Sequence, residues 1–174
     1  MQQKQIHETQ TLRRCGLHAV NNLLQQNKYT RQDFENIAEE IKLETAQSHY
    51  TYFLGNYDLN VIQRALLKEK YELEWIRKNQ TITEELLSDE NVYGLIINKV
   101  KQISFIERIC QWEPRHWISI RKNIKPDNSF EFSYHDSLQN VPMTQKMIEL
   151  INLLQELQQN QDNYLLLVKR IQIN

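Results

Sequence analysis

The 174-residue sequence has few of the residues that interrupt helices and strands or form disulfides. It contains three glycines, three prolines and two cysteines, Cys15 and Cys110. So little cysteine excludes a disulfide scaffold, and we expect both thiols to be free. The scarcity of glycine and proline leaves no recognisable linker, and no repeat with a period of about 20 to 50 residues is present. We therefore predict a single domain over residues 1–174.

Long apolar runs and a basic excess are also missing. No stretch approaches the roughly 18 apolar residues of a membrane helix, and the start, MQQKQIHETQ, lacks the apolar core of a signal peptide. Lys and Arg number 21 against 22 Asp and Glu, which argues against a nucleic-acid partner. These absences predict a monomeric protein of the cytoplasm or nucleus without an integral membrane segment.

Motifs for metals and nucleotides are absent as well. The sequence has no Cys-x-x-Cys pair, no His-Glu-x-x-His helix and no glycine-rich phosphate loop. We therefore expect chemistry without a metal or any other cofactor.

What is present is a clear change of hydrophobic period along the chain. Apolar residues at helical spacing predict helices, the second supported by a Thr30–Asp33 capping box. The predicted helices span Cys15–Gln26, Arg31–Ile41, Leu59–Lys70, Thr83–Leu87 and Thr144–Gln159.

Period-two and continuous apolar runs predict strands, mostly in the second half of the chain. A polar segment with Pro126 and Asn128 separates two of the runs, as in a hairpin. The class is therefore α+β, with N-terminal helices packed on a mostly antiparallel sheet. The predicted strands span Tyr71–Ile76, Val92–Ile97, His116–Arg121, Phe130–Asp136 and Tyr164–Lys169.

Cys15 begins the first predicted helix. Unpaired backbone N–H groups and the positive end of the helix dipole favour a thiolate over a thiol at that position. An isolated cysteine on a helix is more often structural, because cysteine is among the most buried residue types. A nucleophile therefore needs partners from elsewhere in the chain.

His116 and Asp136 are the candidate partners. Alternation along the first strand of the hairpin puts His116, Ile118 and Ile120 on one face. On the partner strand, one apolar face carries Phe130, Phe132, Tyr134 and Asp136. We expect those faces to pack on the Cys15 helix, with His116 and Asp136 together at one end of the sheet and His135 on the opposite face. A Cys–His–Asp triad would then form, in which Asp136 orients the His116 ring.

Gln10 lies five residues before Cys15. Its side-chain amide, with the backbone N–H of Cys15, could hold the oxyanion of a tetrahedral intermediate. Without such partners Gln10 would be an ordinary surface residue.

The segment HETQTLRRCGLHAVNNLL, residues 7–24, resembles the opening of Josephin domains, with its pattern HE-x-Q, then Cys, x-x-His and Asn-Asn. The resemblance continues through GNYDLNVIQRAL, RHWISIR and YHDSL, where the family places Asn or Asp as its third catalytic residue. It covers nearly the whole chain. The sequence departs from the family at Gly16, where alanine is common, and in the short segment Glu44–Leu54.

The resemblance implies a papain-like fold and a deubiquitinating cysteine protease that acts on ubiquitin and ubiquitinated proteins. By it the catalytic roles fall on Cys15, His116, Asp136 and Gln10. His18, one helical turn after Cys15, is either a substrate-side group or a residue of the core edge. Trp117 either lines the channel for the ubiquitin tail or belongs to the core.

Two other functions remain open on the sequence. The chain could bind ubiquitin without useful turnover, although the full set of four site residues argues against a decayed enzyme. Alternatively, the same fold could transfer the acyl group to another amine or accept a different substrate, such as a ubiquitin-like modifier.

Overall fold

The computed structural model describes residues 6–9, 14–45, 50–51, 56–100 and 115–172. In this part of the chain five α-helices and eight β-strands form an α+β fold. The helices are α1 Cys15–Leu24, α2 Arg31–Thr45, α3 Leu59–Lys68, α4 Glu84–Ser88 and α5 Met147–Gln159. The strands are β1 Tyr50–Thr51, β2 Asn56–Tyr57, β3 Tyr71–Trp75, β4 Val92–Val100, β5 Arg115–Ile124, β6 Phe130–His135, β7 Met143–Gln145 and β8 Tyr164–Arg170.

The described strands form one large sheet and one small pair. The large sheet has six antiparallel strands in the order β3-β8-β4-β5-β6-β7, and β1 pairs with β2. The last strand, β8, therefore lies between β3 and β4. Its run of buried apolar residues fits that interior position, where both faces of a strand are covered.

Different helices cover the two faces of the large sheet. On one face α1 packs on β5 and against α3, in a core that includes Ile96 and Trp117. On the other face Leu150 and Leu154 of α5 pack with Ile118 and its neighbours. Every residue of α1 is buried, because the helix lies between the sheet and α3.

The orientation of the central hairpin differs from the prediction. Ile118 and Ile120 share a core with Leu150 of α5, whereas α1 packs on the opposite face against Trp117. The prediction that the Ile118 face meets the Cys15 helix was therefore wrong. Alternation shows which residues share a face, but where both faces are buried it does not show which helix covers each one.

The last helix is shorter than predicted. Residues 143–145, of which Thr144 and Gln145 were predicted to be helical, form β7 by pairing with Phe132, Ser133 and Tyr134. Backbone pairing along the edge of β6 outweighs the helical pattern there. The predicted cap of α2 is confirmed, because the Asp33 carboxylate accepts the Thr30 N–H at 2.7 Å and the Asp33 N–H donates to the Thr30 hydroxyl at 3.3 Å.

None of the helices in the described ranges is long and apolar enough to cross a membrane.

Gly94 of β4 has no room for a side chain. A Cβ there would lie 2.3 Å from the backbone oxygen of Ile120 and 2.7 Å from Leu23 Cδ1. At Gly16 a Cβ would lie 3.2 Å from Ile62 Cδ1, the end of a side chain. The first contact involves the backbone of a paired strand, which cannot move without disturbing the sheet.

We predict that Gly94→Ala lowers the free energy of unfolding by about 3 kcal/mol, because β4 and β5 must separate to admit the methyl group. The matched variant Gly16→Ala should cost less than about 1 kcal/mol, since the Ile62 side chain can turn away. Urea unfolding measures both values. Equal losses for the two variants would contradict this packing.

Candidate active site

His116 and Asp136 are hydrogen-bonded inside the protein. His116 Nε2 lies 2.6 Å from Asp136 Oδ1, and both side chains are buried. The contact follows from the sheet register, in which Ser119 of β5 pairs with His135 of β6. Asp136 then lies one residue beyond β6, beside the beginning of β5.

Two further donors hold the Asp136 carboxylate. The Leu138 backbone N–H donates to Oδ1 at 3.0 Å, and Lys99 Nζ lies 3.2 Å from Oδ2. Burial alone would raise the pKa of Asp136, but the hydrogen bonds from His116 and Leu138 and the positive charges of His116 and Lys99 outweigh it and hold the pKa well below its usual value. Asp136 is therefore an ionised acceptor at neutral pH.

An ionised Asp136 fixes the tautomer of the neutral His116 ring. A carboxylate only accepts hydrogen bonds, so Nε2 carries the proton and Nδ1 carries the lone pair. If Nδ1 takes up a proton, the adjacent carboxylate stabilises the imidazolium that results. The pair can therefore act as a general base and then as a general acid.

Cys15 is the first residue of α1 and is buried. The N-cap residue Arg14 makes no side-chain cap hydrogen bond, and the first turn of this described helix has no acidic residue. The positive end of the helix dipole therefore stabilises the Cys15 thiolate, and no carboxylate in that turn opposes this effect. The next residue, Gly16, lies against the Trp117 side chain, so the start of α1 meets the start of β5.

Trp117 has a place in the core. Its indole N–H donates to the Tyr57 carbonyl at 3.2 Å, and the residue is 7% exposed. The ring helps to fix α1 on the sheet beside the site. Its predicted contact with the ubiquitin tail stays a prediction.

Glu8 joins the segment before Cys15 to the buried face of α1. Its carboxylate lies 2.6 Å from His18 Nδ1 and accepts from Asn21 Nδ2 at 2.9 Å. The Glu8 N–H donates to Asn22 Oδ1 at 2.6 Å, and the Glu8 carbonyl accepts from Asn22 Nδ2 at 3.2 Å. His18 is therefore held by a structural network, and Glu8, Asn21 and Asn22 are positioning residues that sequence reasoning missed.

His7 connects the same segment to the loop after Asp136. Its Nε2 donates to the Gln139 carbonyl at 2.8 Å, and its Nδ1 lies 3.3 Å from His135 Nδ1. Burial, with the positive charges of His7 and Arg121, lowers the pKa of His135 to about 4, so His135 is neutral at pH 7. Residues 7 and 8 thus bridge the Cys15 helix and the Asp136 loop.

Gln10 and Cys110 lie outside the described residues. Gln10 follows the Glu8 network by two positions in sequence. In the described ranges no group of three or more His, Cys, Asp or Glu side chains is arranged to hold a metal ion.

Comparison with known proteins identifies the family of this chain. The model of the family named Josephin matches residues 10–169. The chain belongs to the Josephin family. This family is one of cysteine proteases of the deubiquitinase type.

Its Josephin relatives are distant and longer. Josephin-2 of Homo sapiens is 30% identical over 118 residues, which cover 67% of this chain and 62% of the relative. A Josephin-like protein of Drosophila melanogaster is 29% identical to this chain, in a match that covers 67% of this chain and 53% of the relative. A Josephin-like protein of Arabidopsis thaliana is 32% identical, in a match that covers 68% of this chain and 36% of the relative. The matched part thus spans about a third to three fifths of these relatives.

We predict that Glu8→Gln lowers the free energy of unfolding by about 1–3 kcal/mol, because a half-buried charged acceptor shared by His18 and Asn21 is lost. The control Glu131→Gln removes an exposed ion pair with Lys125 and should cost less than about 1 kcal/mol. Urea unfolding of these variants, with a Glu8→Gln/His18→Ala double-mutant cycle, measures the effect. Additive single losses would show that Glu8 and His18 do not interact.

Proposed function

We propose that the chain hydrolyses the isopeptide or peptide bond that follows the C-terminal glycine of ubiquitin. Cys15 is the nucleophile, His116 the general base and acid, and Asp136 the residue that orients the ring. The observation that carries the proposal is the buried His116–Asp136 hydrogen bond, since it leaves Nδ1 as the basic nitrogen. Membership of the Josephin family supports the substrate class.

The reaction proceeds by acyl transfer. His116 Nδ1 takes the Cys15 thiol proton, and the thiolate attacks the carbonyl carbon of the terminal glycine. The oxyanion is held by the Cys15 backbone N–H and the Gln10 side-chain amide. His116 then donates its proton to the leaving amine, usually a lysine side chain, and the C–N bond breaks to leave a thioester on Cys15.

Hydrolysis of the thioester returns the enzyme to its first state. Water attacks the thioester carbonyl while His116 Nδ1 takes its proton. The C–S bond breaks, the thiol is restored with that proton, and ubiquitin leaves as a carboxylic acid, which loses its proton to solvent. The reaction requires no cofactor.

His18 and Trp117 have supporting roles in this proposal. His18 holds Glu8, and through it the backbone just before Gln10 in sequence. Trp117 positions the start of α1 from the core side. Neither residue exchanges a proton with the substrate.

We predict that a ubiquitin probe with a thiol-reactive C-terminus adds one ubiquitin mass to the wild-type protein and none to Cys15→Ala. Cys110→Ala is the matched control and should react like the wild type, because its thiol has no role in the mechanism. Intact-protein mass spectrometry measures the products. Labelling that persists in Cys15→Ala and disappears in Cys110→Ala would contradict the assignment.

A panel of probes built on ubiquitin-like modifiers separates the substrate classes. Reaction with the ubiquitin probe alone supports the proposal. Preferential reaction with a probe built on another modifier would show that this modifier, and not ubiquitin, is the substrate. Binding of ubiquitin without covalent reaction at any of the thiols would identify a binding module instead.

A further inference from the structure

Strand β3 forms one edge of the large sheet and has backbone groups directed outward. Ile76 N–H donates to the Leu165 carbonyl, and Ile171 N–H donates to the Lys70 carbonyl, each at 2.9 Å. In an antiparallel pair only alternate residues bond to the neighbouring strand. Because residues 70 and 76 bond to β8 and the residue after it, the even-numbered residues of β3 are the ones that bond to β8. The N–H and C=O groups of residues 71, 73 and 75 therefore face away from β8, and no group in the described ranges bonds to them.

A groove of about 870 Å³ runs beside this edge. Residues 72–75 of β3 form one wall, and the turn 77–80 contributes to the other. That turn is firmly held, because Gln158 Nε2 donates to the carbonyls of Arg77 and Gln80 at 2.7 and 2.9 Å. The groove is therefore largely formed before anything binds, which lowers the entropy cost of binding.

Trp75 supplies an apolar surface at the groove. It is 48% exposed, and its ring packs edge-on against Tyr164 with 5.4 Å between centroids. The Arg115 guanidinium covers the Tyr164 ring at 4.5 Å from its centroid. Trp75 is thus a large aromatic side chain with a supported orientation and an open side, as in the anchors of protein interfaces.

The charge beside this edge is acidic. Glu74 pairs with Lys169 at 2.6 Å, whereas Glu72 makes no ion pair with any described residue. If the β3 edges of two copies paired, Glu72 and Glu74 of one copy would lie opposite Glu72 and Glu74 of the other. Repulsion between these carboxylates disfavours a second copy as the occupant. A basic side chain opposite Glu72 is favoured instead.

We propose that the β3 edge binds an extended segment of a partner protein in which basic and apolar residues alternate. The segment adds to the sheet as a seventh strand beyond the six described and bonds to the outward groups of residues 71, 73 and 75. Its basic residues lie on the face of Glu72 and its apolar residues on the face of Trp75, because successive side chains of a strand point to opposite faces.

This site is separate from the proposed chemistry. Strands β8 and β4 lie between β3 and β5, which carries His116. Binding of the segment should therefore be unchanged in Cys15→Ala, so failure of one proposal leaves the other intact.

The probe is a fluorescein-labelled eight-residue peptide of alternating lysine and valine, titrated by fluorescence anisotropy. We expect saturable binding below about 1 mM, weakened about tenfold by Glu72→Lys and about fivefold by Trp75→Ala. Glu156→Lys and Ile124→Ala change an exposed acid and an exposed apolar residue on other elements and should bind like the wild type. A peptide of alternating lysine and proline keeps the charge but lacks half of the strand donors, and it should bind at least about tenfold more weakly.

Amide hydrogen exchange locates the bound peptide. The N–H groups of Leu73 and Trp75 should exchange rapidly in the free protein and at least about tenfold more slowly with the lysine–valine peptide bound. Equal binding of the proline peptide would overturn the proposal, as would equal weakening by Glu156→Lys. Protection confined to other elements, or no saturable binding, would overturn it as well.

Discussion

The hydrogen bond between His116 and Asp136 is the interaction on which the candidate site depends. The β5–β6 register brings the two side chains together, and burial removes the water that would otherwise solvate them. The hydrogen bond from His116, with the donors from Leu138 and Lys99, keeps the Asp136 pKa low despite that burial. A buried charge held by several partners specifies one geometry, because moving any partner leaves the carboxylate unsatisfied.

The Cys15 side of the site is fixed by a second polar network. A helix buried on all sides that carries His18, Asn21 and Asn22 needs partners for them, and the Glu8 side chain and backbone provide these partners. His7 links the same short segment to the Gln139 carbonyl beyond Asp136. The position of the nucleophile helix and that of the orienting carboxylate are therefore coupled through two adjacent residues, which accounts for the histidine–glutamate start of the motif.

Much of the fold could be predicted from hydrophobic period, because helices α1 to α3 and the β5–β6 hairpin have strong local patterns. The same alternation predicted the meeting of His116 and Asp136. It did not predict which face α1 covers, since the sheet is buried on both sides, or strand β7, whose pairing with β6 is a tertiary effect. The role of Glu8 depends on contacts that no periodicity encodes, although three polar residues at helical spacing on an apolar helix are a usable signal.

Asp136 fixes the His116 ring with its proton on Nε2 and its lone pair on Nδ1. Long-range ¹H–¹⁵N correlation spectra of Cys15→Ala, at a pH where the ring is neutral, measure this tautomer without an interfering thiolate. We expect a protonated Nε2 and an unprotonated Nδ1 for His116, and a mixture of tautomers when Asp136→Ala is added. A His116 ring with its proton on Nδ1, or a tautomer that is unchanged by Asp136→Ala, would contradict this assignment.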